Sequence, residues 1–565
     1  MTITSRRIIW SRIVRAFGAI TSLLIAFAPF YERTMAATAP AMREMVVAES
    51  SAAAEAGLAT MKQGGNAIDA AVTTSLMLGV TNAASCGIGG GGFMLIYIAK
   101  THHFYALDYR EVAPAAASEQ MYFRNGVPHE ELARKGALAV AVPGELAGLE
   151  TALHRFGTMK FSRLAVPAIK AARNGFAISP HLGEELRKAS QDIAPDPGLR
   201  DIYFSADGKP LAANAIARNS KLAAALEALG NDPAKIFYHG AMGEAVVQFI
   251  ASHGGIVSTE DLASYRPVWR EPIHLPYADF DVYTMPPPSS GGVVLEMLGM
   301  LAGGDPAGLG ADSAPYLARL IEVMRQGFLD RARYADPAFV NVPIAELLSP
   351  QHIAEARNRA FHHKNGVPAA PSAHDHGTSN FCVVDRFGNI VDVTTTINTV
   401  FGAEITVPSL GLVLNDEMDD FSVAPGVPNA FHLIGAKSNA IAPGKRPLSS
   451  MSPTIVLKDR RPVLVTGGSG GPTIITGVTQ VSLNVLDFRM TPEQAVNAPR
   501  IHDQAEPATV LAEQSLAAAT RAELQQMGYP LKTVPELGAV NAITIAPGDL
   551  RGAFDPRKGG GVAGE

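Results

Sequence analysis

The stretch that decides the fold runs His376-Gly377-Thr378-Ser379-Asn380-Phe381-Cys382-Val383-Val384-Asp385, then Arg386-Phe387-Gly388-Asn389, then Ile390-Val391-Asp392-Val393-Thr394-Thr395-Thr396-Ile397. Two β-rich runs flank a short polar segment holding a glycine, which predicts a β-hairpin. The character of the chain changes here. Residues 130 to 360 alternate helical patterns with Pro-rich loops, including Met285-Pro286-Pro287-Pro288-Ser289-Ser290-Gly291-Gly292 ahead of an apolar helix. Further upstream, Met45 to Val80 is rich in Ala and poor in Pro, and Asn66 with Asp69 reads as an N-cap with an acidic N3 residue, so two helices are expected. Gly87-Ile88-Gly89-Gly90-Gly91-Gly92 follows, then Phe93 to Tyr97, a buried strand. Gly87, Gly89 and Gly92 match dinucleotide-binding spacing, but that motif needs a strand before it and a helix after it, the reverse of this order. No internal repeat of fixed period is visible.

The 565 residues are 47% hydrophobic and 18% charged, enough to bury large cores, and length alone predicts three or four domains. The net charge of −6 comes without a long run of one sign, which argues against a nucleic-acid partner. The 53 glycines and 39 prolines exceed average usage and imply many tight turns and close backbone approaches. Cys86 and Cys382 cannot build a disulfide scaffold and read as buried free thiols. Arg6, Arg7, Arg12 and Arg15 precede an uncharged stretch from Ala16 to Phe30, the pattern of a signal peptide and too short for a membrane span. Ser5-Arg6-Arg7 also fits a twin-arginine signal. Small residues from Ala36 to Ala39 predict removal of residues 1–39, with an uncleaved membrane anchor as the alternative. A periplasmic or secreted product is expected.

Gly467-Gly468-Ser469-Gly470-Gly471, behind Val463-Leu464-Val465 and before Pro472, satisfies G-x-S-x-G. A Ser469 nucleophile would need Asp487 and His502, the only histidine after it, and no His-Gly-Gly-Gly loop lies upstream. The same segment can instead aim the free N–H groups of Gly470 and Gly471 at a ligand oxygen, with Pro472 at the first helical position. That is an oxyanion hole whose nucleophile comes from elsewhere; the alternative is a glycine-rich helix entry without a ligand. His374-Asp375-His376, His102-His103 and His362-His363 lack zinc-site spacing and read as solvated loops, so neither metal nor cofactor is expected.

The segment His376 to Phe381 with its hairpin resembles the self-cleavage site of the gamma-glutamyltranspeptidase family. The resemblance extends through Gly64 to Val72, the Gly87 cluster, Asp108-Tyr109-Arg110-Glu111-Val112-Ala113-Pro114, Val142-Pro143-Gly144, Asn415 to Phe421, Lys445 to Pro453 and Asp555-Pro556-Arg557. It implies an α+β, four-layer αββα sandwich of the N-terminal-nucleophile hydrolase type. It further implies a precursor cut between Gly377 and Thr378 into a large subunit (40–377) and a small one (378–565) that form a heterodimer. Thr378 would supply the nucleophilic hydroxyl and, once freed, an α-amine with an ordinary pKa of about 7.7 to 8 as its base.

By the same resemblance Thr396 hydrogen-bonds the nucleophile and Gly470 and Gly471 form the oxyanion hole. Arg110 grips the substrate α-carboxylate with Ser449 and Ser450, while Glu417 and Asp420, with Asn398 beside them, face the α-ammonium. Alone, each would read as a surface or capping residue; their joint order carries the roles. The implied activity is hydrolysis and transfer of the γ-glutamyl group of glutathione and similar donors to water, amino acids or peptides. The alternatives are a glutaryl/cephalosporin-type acylase, disfavoured by Glu417 and Asp420, the Ser469 hydrolase, and an unprocessed binding protein. Phe431 stands where relatives often carry a lid Tyr, which implies a looser lid. Little is expected of Asn380, and Cys382 is expected to be oxidation-sensitive through its nearness to Thr378.

Overall fold

The predicted hairpin forms, Ser379–Val384 pairing antiparallel with Ile390–Thr396 in a register that sets Ser379 opposite Thr395. Asp385 makes its turn: Oδ1 accepts the amides of Phe387 and Asn389 at 2.9 Å, and Gly388 takes the positive φ of 81° the reversal needs. This is a computed structural model, and it describes residues 40–41, 43–362 and 377–565. The expected signal segment 1–39, His363 and His374-Asp375-His376 lie outside the described residues. Among the described residues no helix is long and apolar enough to cross a membrane.

The hairpin is the centre of a seven-stranded antiparallel sheet ordered Gly561–Gly564, Met45–Ala48, Ser379–Val384, Ile390–Thr396, Gly91–Ile98, His103–Tyr109, Val268–Arg270. A second antiparallel sheet of seven runs Pro40–Ala41, Asp549–Ala553, Ala539–Ala546, Arg461–Ser469, Thr454–Lys458, Phe280–Thr284, Ile273–Tyr277. Alternation along each strand divides the apolar side chains. Met94, Ile96, Val383, Val391 and Val393 pack in one core with the helices Ser51–Lys62 and Ala67–Thr81. Phe93, Leu95, Cys382 and Val384 pack in another with Val456, Leu464 and Val465 of the second sheet and with the helices Gly291–Leu301, Ala314–Arg331 and Thr473–Leu486. The described residues fall in one unit, Ala36–Glu565, rather than the three or four domains that length predicts.

Asn66 caps the second helix as expected: Oδ1 accepts from Ile68 N at 3.0 Å and Asp69 N at 3.1 Å, and Asp69 Oδ2 returns a bond to Asn66 N at 2.9 Å, a box whose loss would cost about 1 kcal/mol. The glycines after Gly87 serve backbone approach. Strand Gly91–Ile98 pairs with the hairpin through Gly91↔Thr396 and Gly92↔Thr395, and a side chain on Gly90 would collide with the Thr396 carbonyl.

Candidate active site

Thr378 precedes the hairpin strand with φ 141°, a conformation hostile to a β-branched residue. Its hydroxyl lies 2.9 Å from Thr396 Oγ1, and Thr396 Oγ1 also accepts the Asn398 amide at 2.8 Å, leaving the Thr396 proton free for the Thr378 oxygen. The Thr378 carbonyl accepts Lys558 Nζ at 2.6 Å, and the same ammonium lies 3.3 Å from Ser469 Oγ. Lys558 thereby ties the nucleophile's peptide to the end of Arg461–Ser469, one residue before Gly470.

Gly470 and Gly471 turn the chain with φ 121° and 58°, and among the described residues neither amide donates to a protein acceptor. The helix behind them starts at Thr473 with Pro472 as its N-cap, one residue later than expected. Ser469 stands apart from the groups a Ser469 hydrolase would need. Its hydroxyl donates to Glu49 at 2.5 Å, whereas His502 bonds Thr476 and Gln504, and Asp487 accepts from Tyr277. Burial pushes the His502 imidazole down to about 4, so it stays neutral near pH 7.

Arg110, 1% exposed, directly follows strand His103–Tyr109. Its two terminal nitrogens bond Glu417 and Asp420, and Nε donates to Pro447 O at 3.3 Å. The acids sit on the 3-10 turn Glu417–Asp420, fixed by Asn415, whose Nδ2 donates to Gly89 O at 2.7 Å and Ala141 O at 2.9 Å and whose Oδ1 accepts the Glu417 amide at 3.1 Å. Burial raises both carboxyls while Arg110 opposes it; Glu111, 3.7 Å from the guanidinium, is pushed far higher by burial and the Glu417 charge. Asn398 (φ 77°) donates through Nδ2 to Asp416 O at 3.0 Å, joining the threonine pair to the acidic turn.

Ser449 and Ser450 lie behind this cluster. Ser449 Oγ accepts the Met451 amide at 3.1 Å, and its carbonyl accepts Ser290 Oγ–H at 2.6 Å; Ser450 Oγ accepts from Arg331 Nη2 at 3.3 Å. The Pro-rich loop Met285 to Gly292 thus braces the serine pair through Ser290. A cavity of about 180 Å³ is walled in part by Arg331, Asp420, Asn429, Leu433 and Leu448, the residue before the serine pair, but by neither serine, neither threonine and not Arg110. The segment over it is pinned by Asn429 Oδ1, which accepts the amides of Phe431 and Leu433, and by Gln504 Nε2, 3.2 Å from the Phe431 carbonyl.

Sequence reading missed Lys558, Glu49, Arg331 and Ser290. Only Lys558 had a local signal, following Asp555-Pro556-Arg557 directly. Among the described residues one acid–His group clusters, Glu296, Asp330 and His352. Tyr334 and Gln326 donate into it and Arg359 lies 3.9 Å from Asp330, which suits a buried hydrogen-bond network.

The expectation for Cys382 is corrected: the thiol is fully buried, and desolvation together with the Asp392 carboxylate pushes its ionisation far up, so the reactive thiolate is suppressed. Asn380 is also more than neutral filler, its Nδ2 donating to Asp392 at 2.8 Å and Val393 O at 2.9 Å. Cys86 is likewise buried and unpaired. A thiol-reactive disulfide reagent should label neither cysteine in the native protein and both after denaturation; stoichiometric native labelling of Cys382 would contradict this burial.

A family model described as Gamma-glutamyltranspeptidase matches residues 53–565. The glutathione hydrolase proenzyme of Escherichia coli (strain K12) is 37% identical over 531 residues, 92% of this chain and 91% of that protein. The protein of the same name from Pseudomonas aeruginosa is 40% identical over 512 residues, 88% of this chain and 90% of that one. Among solved structures, cephalosporin acylase from Bacillus halodurans matches with a TM-score of 0.82 at 27% identity, covering 94% of this chain and 97% of that chain. Helicobacter pylori gamma-glutamyltranspeptidase matches with a TM-score of 0.54 at 34% identity, covering 56% of this chain and 91% of that chain.

Proposed function

The chain belongs to the gamma-glutamyltranspeptidase family, and from that premise we propose that it is an exported, self-cleaving enzyme that hydrolyses and transfers γ-glutamyl groups, glutathione among the donors. The carrying observation is Asn398. Its amide bonds Thr396, the partner of Thr378, while its side chain bonds the acidic turn, so nucleophile and charge cluster meet at one residue.

Maturation begins as Thr378 Oγ attacks the Gly377 carbonyl carbon. The peptide C–N bond breaks, freeing the Thr378 α-amine as an ester forms on Oγ, and water then hydrolyses that ester to a Gly377 carboxylate and the free Thr378 hydroxyl. In the product, a large subunit ending at Gly377 and a small one beginning at Thr378 share an αββα sandwich as a heterodimer. The amine takes the Oγ proton as Oγ attacks the γ-carbonyl; the Gly470 and Gly471 amides hold the oxyanion, and the proton passes to the leaving amine. Water or the amine of an amino acid or peptide then opens the γ-glutamyl ester. Arg110 with Ser449 and Ser450 takes the donor α-carboxylate, and Glu417 and Asp420 take its α-ammonium, so donor binding exchanges the Arg110–Glu417 and Arg110–Asp420 pairs for pairs with the zwitterion.

The likeness to cephalosporin acylase supports a second reading, cleavage of glutaryl amides, whose acyl group lacks the ammonium. γ-Glutamyl and glutaryl p-nitroanilides separate the two. Faster turnover of the γ-glutamyl compound is expected, and preference for the glutaryl compound would reverse the assignment. Phe431, 7% exposed, cannot supply a lid hydroxyl. Phe431→Tyr is expected to lower KM for glutathione about two- to tenfold, the worth of one hydrogen bond; an unchanged KM would remove the looser-lid idea.

A further inference from the structure

Six arginines are buried among the described residues: Arg110, Arg325, Arg331, Arg446, Arg500 and Arg557. Five have a carboxylate within reach, in Glu417 and Asp420, Asp503, Asp108, Asp555 and Glu513 respectively. Arg331, 8% exposed at the end of helix Ala314–Arg331, has none within 4.0 Å among the described residues. Its hydrogen-bond partners are neutral, Nε donating to Ser290 Oγ at 2.9 Å and Nη2 to Ser450 Oγ at 3.3 Å, and Asp420, itself engaged by Arg110, attracts it only from beyond ion-pair distance. A guanidinium carries five N–H donors, so most of this fork is unspent. A buried charge without a counter-ion is ordinarily selected against. Burial also lowers its ionisation to about 10, still fully charged at neutral pH.

The surroundings say which anion is missing. Arg331 stands in the cavity wall with Asp420. Ser450 Oγ accepts from Arg331, and its own proton remains to donate forward. Ser290 accepts from Arg331 Nε and donates to the Ser449 carbonyl, fixing the backbone that carries the other hydroxyl. Arg110, meanwhile, already pairs with two acids and a carbonyl. We propose that Arg331 is the second cation of the donor-carboxylate subsite, a positioning residue that holds the Ser449–Ser450 pair in donating polarity and whose unmatched charge is balanced by the substrate α-carboxylate. This rests on the γ-glutamyl reading above.

The test deletes the carboxylate from the substrate as well as the arginine from the protein, using γ-glutamyl-p-nitroanilide and 4-aminobutyryl-p-nitroanilide on the self-cleaved enzyme. For Arg331→Met, KM for the γ-glutamyl compound should rise about thirtyfold with kcat within about threefold, the worth of a hydrogen-bonded charge. kcat/KM for the 4-aminobutyryl compound should stay within about threefold of wild type, so the preference for the carboxylate collapses. Arg331→Lys, which keeps the charge and loses the fork, should retain an intermediate preference. Equal losses on both substrates would assign Arg331 to structure alone and overturn the proposal, as would an unchanged preference. Should Arg331→Met fail to yield two chains, Arg331→Lys carries the comparison, and if it too stays uncut the residue serves folding and the proposal falls. Failure of the underlying reading would show separately, as a wild-type enzyme inactive on γ-glutamyl-p-nitroanilide.

Discussion

Replacing Thr378 by Ala is expected to leave one uncut chain and to lower γ-glutamyl turnover by at least about 10⁴-fold, the scale on which loss of a nucleophile registers. Both effects follow from one atom, because the same Oγ attacks the Gly377 carbonyl during maturation and the donor carbonyl afterwards. The geometry favours the first step. Thr378 is held at φ 141°, its carbonyl is gripped by Lys558 at 2.6 Å, and its hydroxyl lies 2.9 Å from Thr396. Breaking the Gly377–Thr378 bond frees Thr378 from that constraint, and strain in the precursor is relieved in the product. Thr378→Ser keeps the oxygen but loses the methyl that makes the conformation costly, so it should be cut more slowly than wild type yet finish. A denaturing gel with N-terminal sequencing reads all three proteins. A wild type that is active as a single chain, or whose smaller chain begins elsewhere than Thr378, would sink the mechanism.

The features legible in the sequence are those whose causes are local. The hairpin announces itself because Asp385, Gly388 and Asn389 make the turn within five residues of each other, and the Asn66–Asp69 box closes over three. The family order of Arg110, Glu417, Asp420 and the serine pair gave candidates without saying who touches whom. Arg331 could not be read at all: its two partners lie 41 and 119 residues away, and a lone arginine at a helix end ordinarily reads as a dipole or solvent contact. Lys558 reaches Thr378 across 180 residues, contact that only the closed sheet creates. Cys382 misled for a related reason. Alternation puts it on the face opposite Phe381 and Val383, into the core shared with the second sheet, so four residues of sequence separation from Thr378 say nothing about access.

Replacing Arg110 by Met should damage stability and activity together, and the pH dependence shows why. In the native protein the guanidinium bonds Glu417 and Asp420 in a pocket where it is 1% exposed. Removing it leaves two buried carboxyls facing each other, and breaking one partner of a buried pair costs roughly 3–5 kcal/mol. Both carboxyls are already raised by burial with Arg110 opposing that rise, so without it they climb further. A carboxyl whose folded pKa exceeds its unfolded value of roughly 4 stabilises the fold relatively when protonated, and that contribution is lost as pH rises through the folded value. The variant's melting temperature should therefore fall more steeply than wild type's between pH 5 and pH 8, and adding Glu417→Gln should restore part of the loss by removing one of the two acids. Activity should not follow. The donor carboxylate loses its bidentate partner whichever acid remains, so kcat/KM for γ-glutamyl-p-nitroanilide should drop roughly 30- to 5,000-fold in both variants, corresponding to about 2–5 kcal/mol. A flat pH profile of melting would show that Glu417 and Asp420 are not the groups Arg110 neutralises. Recovery of activity by Glu417→Gln would show that Arg110 serves the acids and not the substrate.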